Sequence, residues 1–406
     1  MTRRIPFSVV AKPTGAACNL DCSYCFFLSK ELLYDQQRQM MTPPAQEAYV
    51  RAFLEAQPDG EVTLIWQGGE PTLRGLEFYR RAVELGRQYS RPGQRVTHAM
   101  QTNGTLLDAE WCQFFAAEGF LVGLSVDGPA ALHDAHRVNR AGRGSHAQVE
   151  RAWWLLSEAG VETNILCTVN AANQGHPLEV YRYFRDDLGA RYLQFIPIVE
   201  RAPAAELERA EAGWGVNRPR ALLYRQAGDA VTSRSVDPDA WGRFMIAIFD
   251  EWLAHDVGTV FVQHVDTALA ALFGQYTLCV HAPQCGNQLA LEFNGDVYSC
   301  DHYVEPGYLL GNVVAGDRFD ALLASDQQVA FGRDKLTSLP AQCLGCPVRG
   351  YCHGGCPKDR FATTRDGQPG LNHLCAGYYA FFSHMDPHLR RMAAGLRQGR
   401  PPAARA

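Results

Sequence analysis

Hydrophobic and polar residues alternate in two repeating patterns over the first 200 residues of the chain. Short apolar runs predict strands at residues 7–11, 61–67, 96–101, 120–126, 161–169 and 192–198. Between them, apolar residues at helical spacing, such as Leu76, Tyr79 and Val83, predict helices at residues 76–89, 108–118, 145–159 and 177–188. Repeated strand-then-helix units with short turns predict an α/β fold built on a parallel sheet.

About six such units fit before residue 200, fewer than a closed eight-fold barrel requires, so we predict an open, TIM-like partial (β/α)6 barrel. Polar, glycine-rich turns follow three of its strands, at residues 68–70, 103–104 and 127–128. Because parallel α/β folds bind ligands at the carboxyl ends of their strands, these turns are candidate site segments.

The remaining chain reads as three further parts. Residues 202–238 are rich in Ala, Arg, Glu and Pro and predict a connector with some helix, and residues 240–255 predict an amphipathic helix. From Cys279 onward, Gly, Pro and Cys crowd together, which indicates a small α+β region that metals must organise. The predicted divisions are a barrel at 1–235, a connecting helix and strand at 236–275, a cysteine-rich domain at 276–385 and a disordered tail at 386–406.

Composition and charge exclude several classes of protein. The 406 residues suggest two or three domains at about 150 residues each. A formal net charge of −5 argues against nonspecific nucleic-acid binding and against an anionic membrane surface. No run approaches the roughly 18 apolar residues of a membrane span. No apolar segment follows Arg3 and Arg4 as in a signal peptide, so we expect a cytoplasmic protein without a membrane or nucleic-acid partner.

The 13 cysteines are unevenly distributed along the chain. Their odd number excludes complete intramolecular disulfide pairing. Cys18, Cys22 and Cys25 form an N-terminal trio, whereas eight others follow residue 278. Such local groups are typical of metal sites. Cys112 and Cys167 stand alone within a predicted helix and a predicted strand, and we expect both to be buried core residues.

The trio, C-x3-C-x2-C, follows the first predicted strand. Three thiolates can hold three irons of a [4Fe–4S] cube and leave the fourth iron open for chemistry. The spacing alone also fits a zinc knuckle completed by a ligand from elsewhere in the chain, such as a histidine.

The sequence around the trio, CNLDCSYCF at residues 18–26, resembles the signature of the radical S-adenosylmethionine (SAM) enzymes, with Tyr24 as its aromatic residue. In that superfamily the open iron chelates the amino and carboxylate groups of SAM. A following GGEP motif meets the SAM amino group, and Gly68, Gly69 and Glu70 match it at a strand end.

Four longer segments, residues 11–30, 66–73, 101–106 and 125–137, resemble the anaerobic sulfatase-maturating enzymes. The resemblance covers about residues 5–200 and 275–380. It implies that Tyr24, Gly69, Ser125 and Arg137 contact SAM, with Gln67 as a weaker candidate. A guanidinium group suits a carboxylate clamp, although an exposed ion pair is an alternative for Arg137, and Arg140 and Arg143 lie nearby.

The eight C-terminal cysteines suit two four-ligand sites, but spacing alone does not say which four share a site. Their layout resembles the SPASM domain, which implies interleaved ligation of two [4Fe–4S] clusters. The first auxiliary cluster would be held by Cys279, Cys285, Cys300 and Cys356. The second would be held by Cys343, Cys346, Cys352 and Cys375. Two zinc sites are the alternative.

Asp301 directly follows Cys300. In the sulfatase-maturating family the aspartate at this position is the proposed general base. An ionised carboxylate only accepts hydrogen bonds and can take a proton over that distance. Without the resemblance, Asp301 reads as a solvated loop residue.

The resemblance thus implies three [4Fe–4S] clusters, SAM, and radical oxidation of a cysteine or serine in an unfolded or nascent sulfatase peptide to Cα-formylglycine. It also implies an electron donor such as flavodoxin or ferredoxin. One alternative is another SPASM enzyme that forms a thioether or other crosslink in a ribosomal peptide. A zinc-binding interaction module without catalysis is a second alternative.

Overall fold

The described part of the chain, residues 4–34, 39–214 and 222–400 of a computed structural model, is organised around one large sheet. The large sheet contains, in chain order, β1 (Ser8–Ala11), β2 (Gly60–Trp66), β3 (Gln94–Thr102), β4 (Phe120–Ser125), β5 (Thr163–Val169), β6 (Tyr192–Pro197), β9 (Phe261–Val262), β10 (Gln288–Leu291), β11 (Asp296–Tyr298) and β12 (Leu309–Asn312). Two separate two-stranded sheets are formed by β7 (Arg201–Ala202) with β8 (Ala230–Val231) and by β13 (Ala362–Thr363) with β14 (Pro369–Leu371).

Helices connect and cover these strands. In chain order they are α1 (Pro43–Ala56), α2 (Leu76–Tyr89), α3 (Ala109–Glu118), α4 (Ala130–His133), α5 (His146–Glu158), α6 (Pro177–Arg182), α7 (Leu207–Glu211), α8 (Pro238–His255), α9 (Gln263–Ala271), α10 (Phe319–Leu323), α11 (Asp326–Thr337), α12 (Ala341–Leu344), α13 (Arg349–Cys352) and α14 (Cys375–Arg397).

Strands β1 to β6 lie side by side in chain order and are all parallel. Each is joined to the next by a connection that contains at least one α-helix. On β2, Val62, Leu64 and Trp66 are buried at alternate positions, so the strand packs one face into the core. The sheet ends at β9 on one side and at β12 on the other, so the predicted open, partial barrel is confirmed.

The C-terminal region extends this sheet. Strand β10 pairs with β1 in parallel, with Leu291 opposite Ala11, and β11 and β12 follow in antiparallel order. Residues before and after the predicted boundary at 276 therefore share one sheet. One hydrophobic core also spans both parts, from Val9 on β1 to Tyr378 and Phe382 on α14.

The predicted disordered tail is wrong for residues 386–397. Helix α14 runs without a break from Cys375 to Arg397 and buries Phe382, Met385, Leu389 and Met392 at helical spacing. It packs closely on α8, because a Cβ on Gly377 would lie 2.3 Å from the carbonyl oxygen of Pro238. Residues 401–406 of the predicted tail, and 215–221 of the predicted connector, lie outside the described residues.

None of the helices among the described residues combines the length and apolar character that a membrane span requires. Cys112 and Cys167 are both buried, as the sequence predicted.

Candidate active site and cluster sites

The N-terminal cysteines lie in the loop that follows β1, at the carboxyl edge of the sheet. Cys22 is buried, Cys18 and Cys25 are half-buried, and all three pack with Leu20, Tyr24 and Ile198 in a small cluster separate from the main core. The loop is fixed to the segment after β4, where the amide of Asp21 donates to the carbonyl of Val138 at 2.8 Å. The sequence did not indicate Ile198, which follows β6 and reaches the trio only through the fold.

The chemistry of these thiols fits a metal cluster. Burial, with Glu70 and Cys25 nearby, raises the pKa of Cys18 to about 12, and burial also raises the pKa of Cys22 and of Cys25. The thiolate forms therefore need a cation, and iron supplies one, because a coordinating thiol is deprotonated outright. Within the described residues, no three Cys, His, Asp or Glu side chains converge tightly enough for one metal ion.

The turn after β2 presses against the backbone that leads to Cys18. The amide of Gly69 donates to the carbonyl of Gly15 at 2.9 Å, and the amide of Glu70 donates to that of Ala17 at 2.8 Å. A Cβ on Gly69 would lie 2.0 Å from the carbonyl oxygen of Ala17, so no larger residue fits. Gly68 has a φ of +130°, which also favours glycine.

Glu70 has partners within the protein. One carboxylate oxygen accepts from the amide and hydroxyl of Thr72 at 3.0 and 2.6 Å and from the hydroxyl of Thr102 at 2.7 Å. The other accepts from the amide of Asn103 at 2.8 Å. Burial raises the pKa of Glu70 despite these donors. The side chain thus ties the ends of β2 and β3 together, whereas a contact with SAM stays a prediction.

Tyr24 and Arg137, both predicted SAM contacts, donate hydrogen bonds to Asp127, which the sequence predicted only to lie in a turn. The Tyr24 hydroxyl donates to Asp127 at 2.5 Å, and the Arg137 guanidinium donates to both carboxylate oxygens at 2.8 and 3.2 Å. Burial raises the pKa of Asp127, but Arg137 outweighs it and keeps that pKa below its usual value. Ser125, the last residue of β4, is buried two residues earlier. The structure thus pairs Arg137 with a carboxylate of the protein, and its role as a clamp on SAM remains a prediction.

Asp301 forms an ion pair with Lys12, the residue directly after β1. The Lys12 ammonium also donates to the side-chain oxygen of Gln67 at 2.6 Å and lies 4.6 Å from the centre of the Phe27 ring. Lys12 is buried, whereas the Asp301 side chain is 25% exposed. Burial raises the pKa of Asp301, but the nearby cations, Lys12 first, hold it below the usual value. The lowered pKa favours the ionised form of Asp301, whereas its role as a proton acceptor stays a prediction.

A second carboxylate, which the sequence analysis did not single out, lies beside this pair. Glu292 follows β10, is buried, and has one carboxylate oxygen without a hydrogen-bond partner among the described residues. Burial raises its pKa to about 7; Lys12 lowers the value and Asp301 raises it. Lys30, whose pKa burial lowers to about 8, also lies nearby. These charged residues come together because β10 pairs with β1, a strand far from it in the sequence.

The C-terminal cysteines fall into two neighbourhoods. In the first, burial and the nearby thiols of Cys356 and Cys279 raise the pKa of Cys300, and burial and Cys285 raise that of Cys279. These four residues come from segments up to 77 positions apart in the sequence, and the fold gathers them beside Asp301.

The second neighbourhood surrounds a cavity lined by Cys343, Cys346, Cys352 and Cys375. Burial raises the pKa of Cys352 to about 12, and the other three thiols add to that shift. Cys375 begins α14, and burial raises the pKa of its thiol to about 11, with Cys343 and Cys346 adding to the shift. The two neighbourhoods have the same members as the two interleaved sets that the SPASM resemblance implied, and ligation of clusters by these sets stays a prediction.

Comparison with known proteins defines the class. The sequence model of the Radical SAM superfamily matches residues 13–183, and that of the SPASM iron–sulfur cluster-binding domain matches residues 279–347. The chain is a radical SAM oxidoreductase with a SPASM domain, and the cofactors of this class are SAM and [4Fe–4S] clusters.

Similarity over nearly the whole chain defines the family. The chain is 41% identical over 400 residues to a serine-type anaerobic sulfatase-maturating enzyme of Bacteroides thetaiotaomicron, covering 98% of this chain and 94% of that protein. It is 31% identical to a cysteine-type enzyme of Clostridium perfringens, covering 97% and 100%. A solved structure, "Native anSMEcpe with bound AdoMet and Kp18Cys peptide", matches at a TM-score of 0.81 and 29% identity, covering 96% and 100%. The chain belongs to the anaerobic sulfatase-maturating enzymes.

Proposed function

We propose that the chain oxidises a cysteine or serine of a sulfatase peptide to Cα-formylglycine, with Asp301 as the proton acceptor. The observation that carries this proposal is the ion pair between Lys12 and Asp301. It holds a partly exposed carboxylate at the same sheet edge as the cysteine trio. Near-complete similarity to serine- and cysteine-type enzymes supports the substrate class.

The cysteines are assigned by their neighbourhoods. Cys18, Cys22 and Cys25 would hold the cluster whose open iron binds SAM. When bound, the cluster and SAM would supply the radical chemistry needed to remove a hydrogen atom from the peptide. The two C-terminal sets would hold the auxiliary clusters: Cys279, Cys285, Cys300 and Cys356 the first, and Cys343, Cys346, Cys352 and Cys375 the second.

The side chains around the trio would position SAM. Gly68 and Gly69 let the turn after β2 approach the backbone that leads to Cys18 closely, which would place this turn beside bound SAM. Tyr24, Ser125 and Arg137 line the end of β4, where Asp127 orients the Tyr24 hydroxyl and the guanidinium. Gln67 fixes the Lys12 ammonium that holds Asp301.

Asp301 would take the thiol or hydroxyl proton of the target residue, while one hydrogen atom would be lost to the radical chemistry of SAM and the second electron would pass to an auxiliary cluster. For a cysteine substrate, water would then replace the sulfur, which would leave as sulfide. Its lowered pKa keeps it ionised and ready to accept. Lys12 fixes the orientation of the carboxylate, and burial of Lys12 keeps the pair from being screened by solvent. The peptide would enter as an extended segment, since the target side chain must reach the sheet edge.

The remaining partners are proposals of the same kind. An electron donor such as flavodoxin or ferredoxin would deliver electrons to the clusters. The protein would work in the cytoplasm, without a nucleic-acid or membrane partner. Half-buried cluster cysteines are compatible with a reducing compartment, where thiols persist.

The experiment uses the anaerobically reconstituted chain with SAM, a reductant and two peptides that carry C-x-P-S-R or S-x-P-S-R. We expect the mass of at least one peptide to change by the amount that corresponds to formylglycine formation. A peptide with Ala-x-P-S-R is the matched control. SAM cleavage that leaves both peptides unchanged would overturn the proposal. A crosslinked product would instead identify a SPASM enzyme of the other kind.

A further inference from the structure

Two cationic side chains among the C-terminal cysteines, Lys335 and Arg360, are set apart from Lys358, which pairs with Asp359. Lys335, in the last turn of α11, is fully buried, and its ammonium donates to the carbonyls of Cys279 at 2.6 Å and Val280 at 3.0 Å. Arg360 is half-buried and follows the last cysteine of the first set by four residues. In the part of the chain that the structure describes, neither cation forms an ion pair with a carboxylate.

Arg360 wraps around the backbone that links the two sets. Its guanidinium donates to the carbonyls of Gly354 at 2.9 Å and His353 at 2.7 Å, which lie between Cys352 of the second set and Cys356 of the first. A Cβ on Gly354 would lie 2.7 Å from the guanidinium, so glycine permits this approach.

The two cations are also connected to each other. Arg360 donates to the backbone carbonyl of Lys335 at 2.7 Å. Helix α11 in turn lies against the first set, where the amide of Cys285 donates to the carbonyl of Gly332 at 3.1 Å. The pair therefore ties α11 to two loops that each contain cluster cysteines.

Backbone carbonyls alone compensate a buried charge poorly, because they carry only partial charges. The groups nearby that can become anions are thiols. Burial lowers the pKa of Lys335, and Cys285, Cys356 and Cys279 oppose this shift. Burial lowers the pKa of Arg360, and Cys343 and Cys356 are first among the groups that oppose it. A cluster held by four thiolates is a net anion, and nearby charge sets its reduction potential.

We propose that Lys335 and Arg360 raise the reduction potentials of the auxiliary clusters, Lys335 at the first set and Arg360 at both. A cation stabilises the reduced state, which is the more negative one, so each cluster becomes a better electron acceptor. The inference rests on the cluster assignment given above. Both residues are positioning residues and touch no substrate.

The test is a potentiometric titration of the anaerobic holoenzyme followed by electron paramagnetic resonance. Lys335→Gln and Arg360→Gln keep an amide that can donate to carbonyls but remove the charge. We expect Lys335→Gln to shift the midpoint potential of the first auxiliary cluster to a more negative value. We expect Arg360→Gln to shift the midpoint potentials of both auxiliary clusters in the same direction. Lys335→Arg, which keeps the charge, is expected to restore the wild-type value.

Arg349→Gln is the matched control. Arg349 lines the cavity of the second cysteine set, but it is exposed, so solvent and salt screen its charge. Unchanged midpoints in both glutamine variants at full iron content would overturn the proposal. Loss of iron from these variants would also contradict the proposal, because the two cations would then be needed to assemble the clusters and not to set their reduction potentials. Because the readout needs no peptide, failed peptide oxidation would affect only the proposed function.

Discussion

The N-terminal and C-terminal cysteine sites differ in the charges that surround them. Beside the trio, the buried carboxylates Glu70 and Asp127 each have several donors, and the buried cation there, Arg137, is paired with Asp127. Beside the C-terminal cysteines, Lys358 is likewise paired with Asp359, but buried Lys335 and half-buried Arg360 donate only to uncharged oxygens. The first arrangement ties strand ends together next to the trio. The second would leave positive charge for an anionic cluster.

The difference teaches how each site gains its rigidity. The trio lies at the carboxyl edge of a parallel sheet, where Asn103 after β3 and Asp127 after β4 bond to Asn19 and Tyr24 of the loop. The C-terminal sets lie on short elements, so their order depends on cross-connections and on the metal itself.

Cys18→Ala is expected to abolish formation of 5′-deoxyadenosine from SAM. Loss of one of three thiolates removes the open-iron cluster, so about a third of the iron should be lost while the auxiliary clusters remain. Product chromatography and iron analysis of the anaerobic protein measure both quantities. Cys112→Ala, a buried thiol in α3 away from the sites, is the control, and persistent 5′-deoxyadenosine in Cys18→Ala would contradict the assignment.

Gly69→Ala is expected to weaken SAM binding about 100-fold, the scale of a misplacement near 1 Å. The added Cβ would meet the Ala17 carbonyl and push the loop that leads to Cys18. Equilibrium binding of SAM to the reconstituted protein measures the effect. Gly175→Ala, where a Cβ meets nothing within 4 Å, should bind normally, and equal affinities in the two variants would refute the close-approach argument.

Asp127→Asn is expected to lower the free energy of unfolding by about 3–5 kcal/mol, since it leaves the buried Arg137 guanidinium without a charged partner. Anaerobic denaturant titration measures the change. Asp186→Asn removes a partly exposed partner of Arg185 and should have little effect. Equal losses in both variants would show that burial of the Asp127 pair is unimportant.

Glu292→Gln is expected to change how stability depends on pH. Because the folded-state pKa of about 7 lies above the ordinary value, this residue stabilises the fold at low pH, and the contribution is lost as pH rises from about 4.5 through 7. Over this range the contribution of Glu292 to the free energy of unfolding changes by about 3 kcal/mol. The groups nearby are Lys12, Lys30, Asp296, Asp301 and the tyrosines Tyr34 and Tyr298.

Thermal unfolding at about pH 5 and pH 8 compares Glu292→Gln with the wild type. The variant should match the wild type at the lower pH and exceed it at the higher pH. Glu158→Gln, at an exposed position at the end of α5, is the control and should retain the pH dependence of the wild type. An unchanged slope in Glu292→Gln would mean that Glu292 is ionised throughout.

The sequence predicted the barrel because its strands and helices alternate locally, and it predicted the cysteine trio because its ligands lie within eight residues. It did not predict that β10 pairs with β1, since no local pattern specifies a parallel partner more than 270 residues away. Lys12 and Glu292 were missed for the same reason. Helix α14 was readable from Phe382, Met385 and Leu389 at helical spacing, but the dense cysteines before it obscured that pattern.

Asp127 illustrates a different limit. Its position after a predicted strand was evident, but its role depends on burial, because a buried carboxylate needs a cation and Arg137 comes from ten residues further along. The resemblance implied that Arg137 contacts SAM, but nothing in the sequence indicated that Asp127 is its partner.

The central claim, that Asp301 accepts the substrate proton, is tested most directly with Asp301→Asn in the anaerobic peptide assay. We expect SAM cleavage to continue while formylglycine formation falls about 100-fold or more, the lower range for loss of a positioned base. Asp296→Asn, five residues earlier, should form formylglycine at the wild-type rate. Wild-type formylglycine formation by Asp301→Asn would contradict the account.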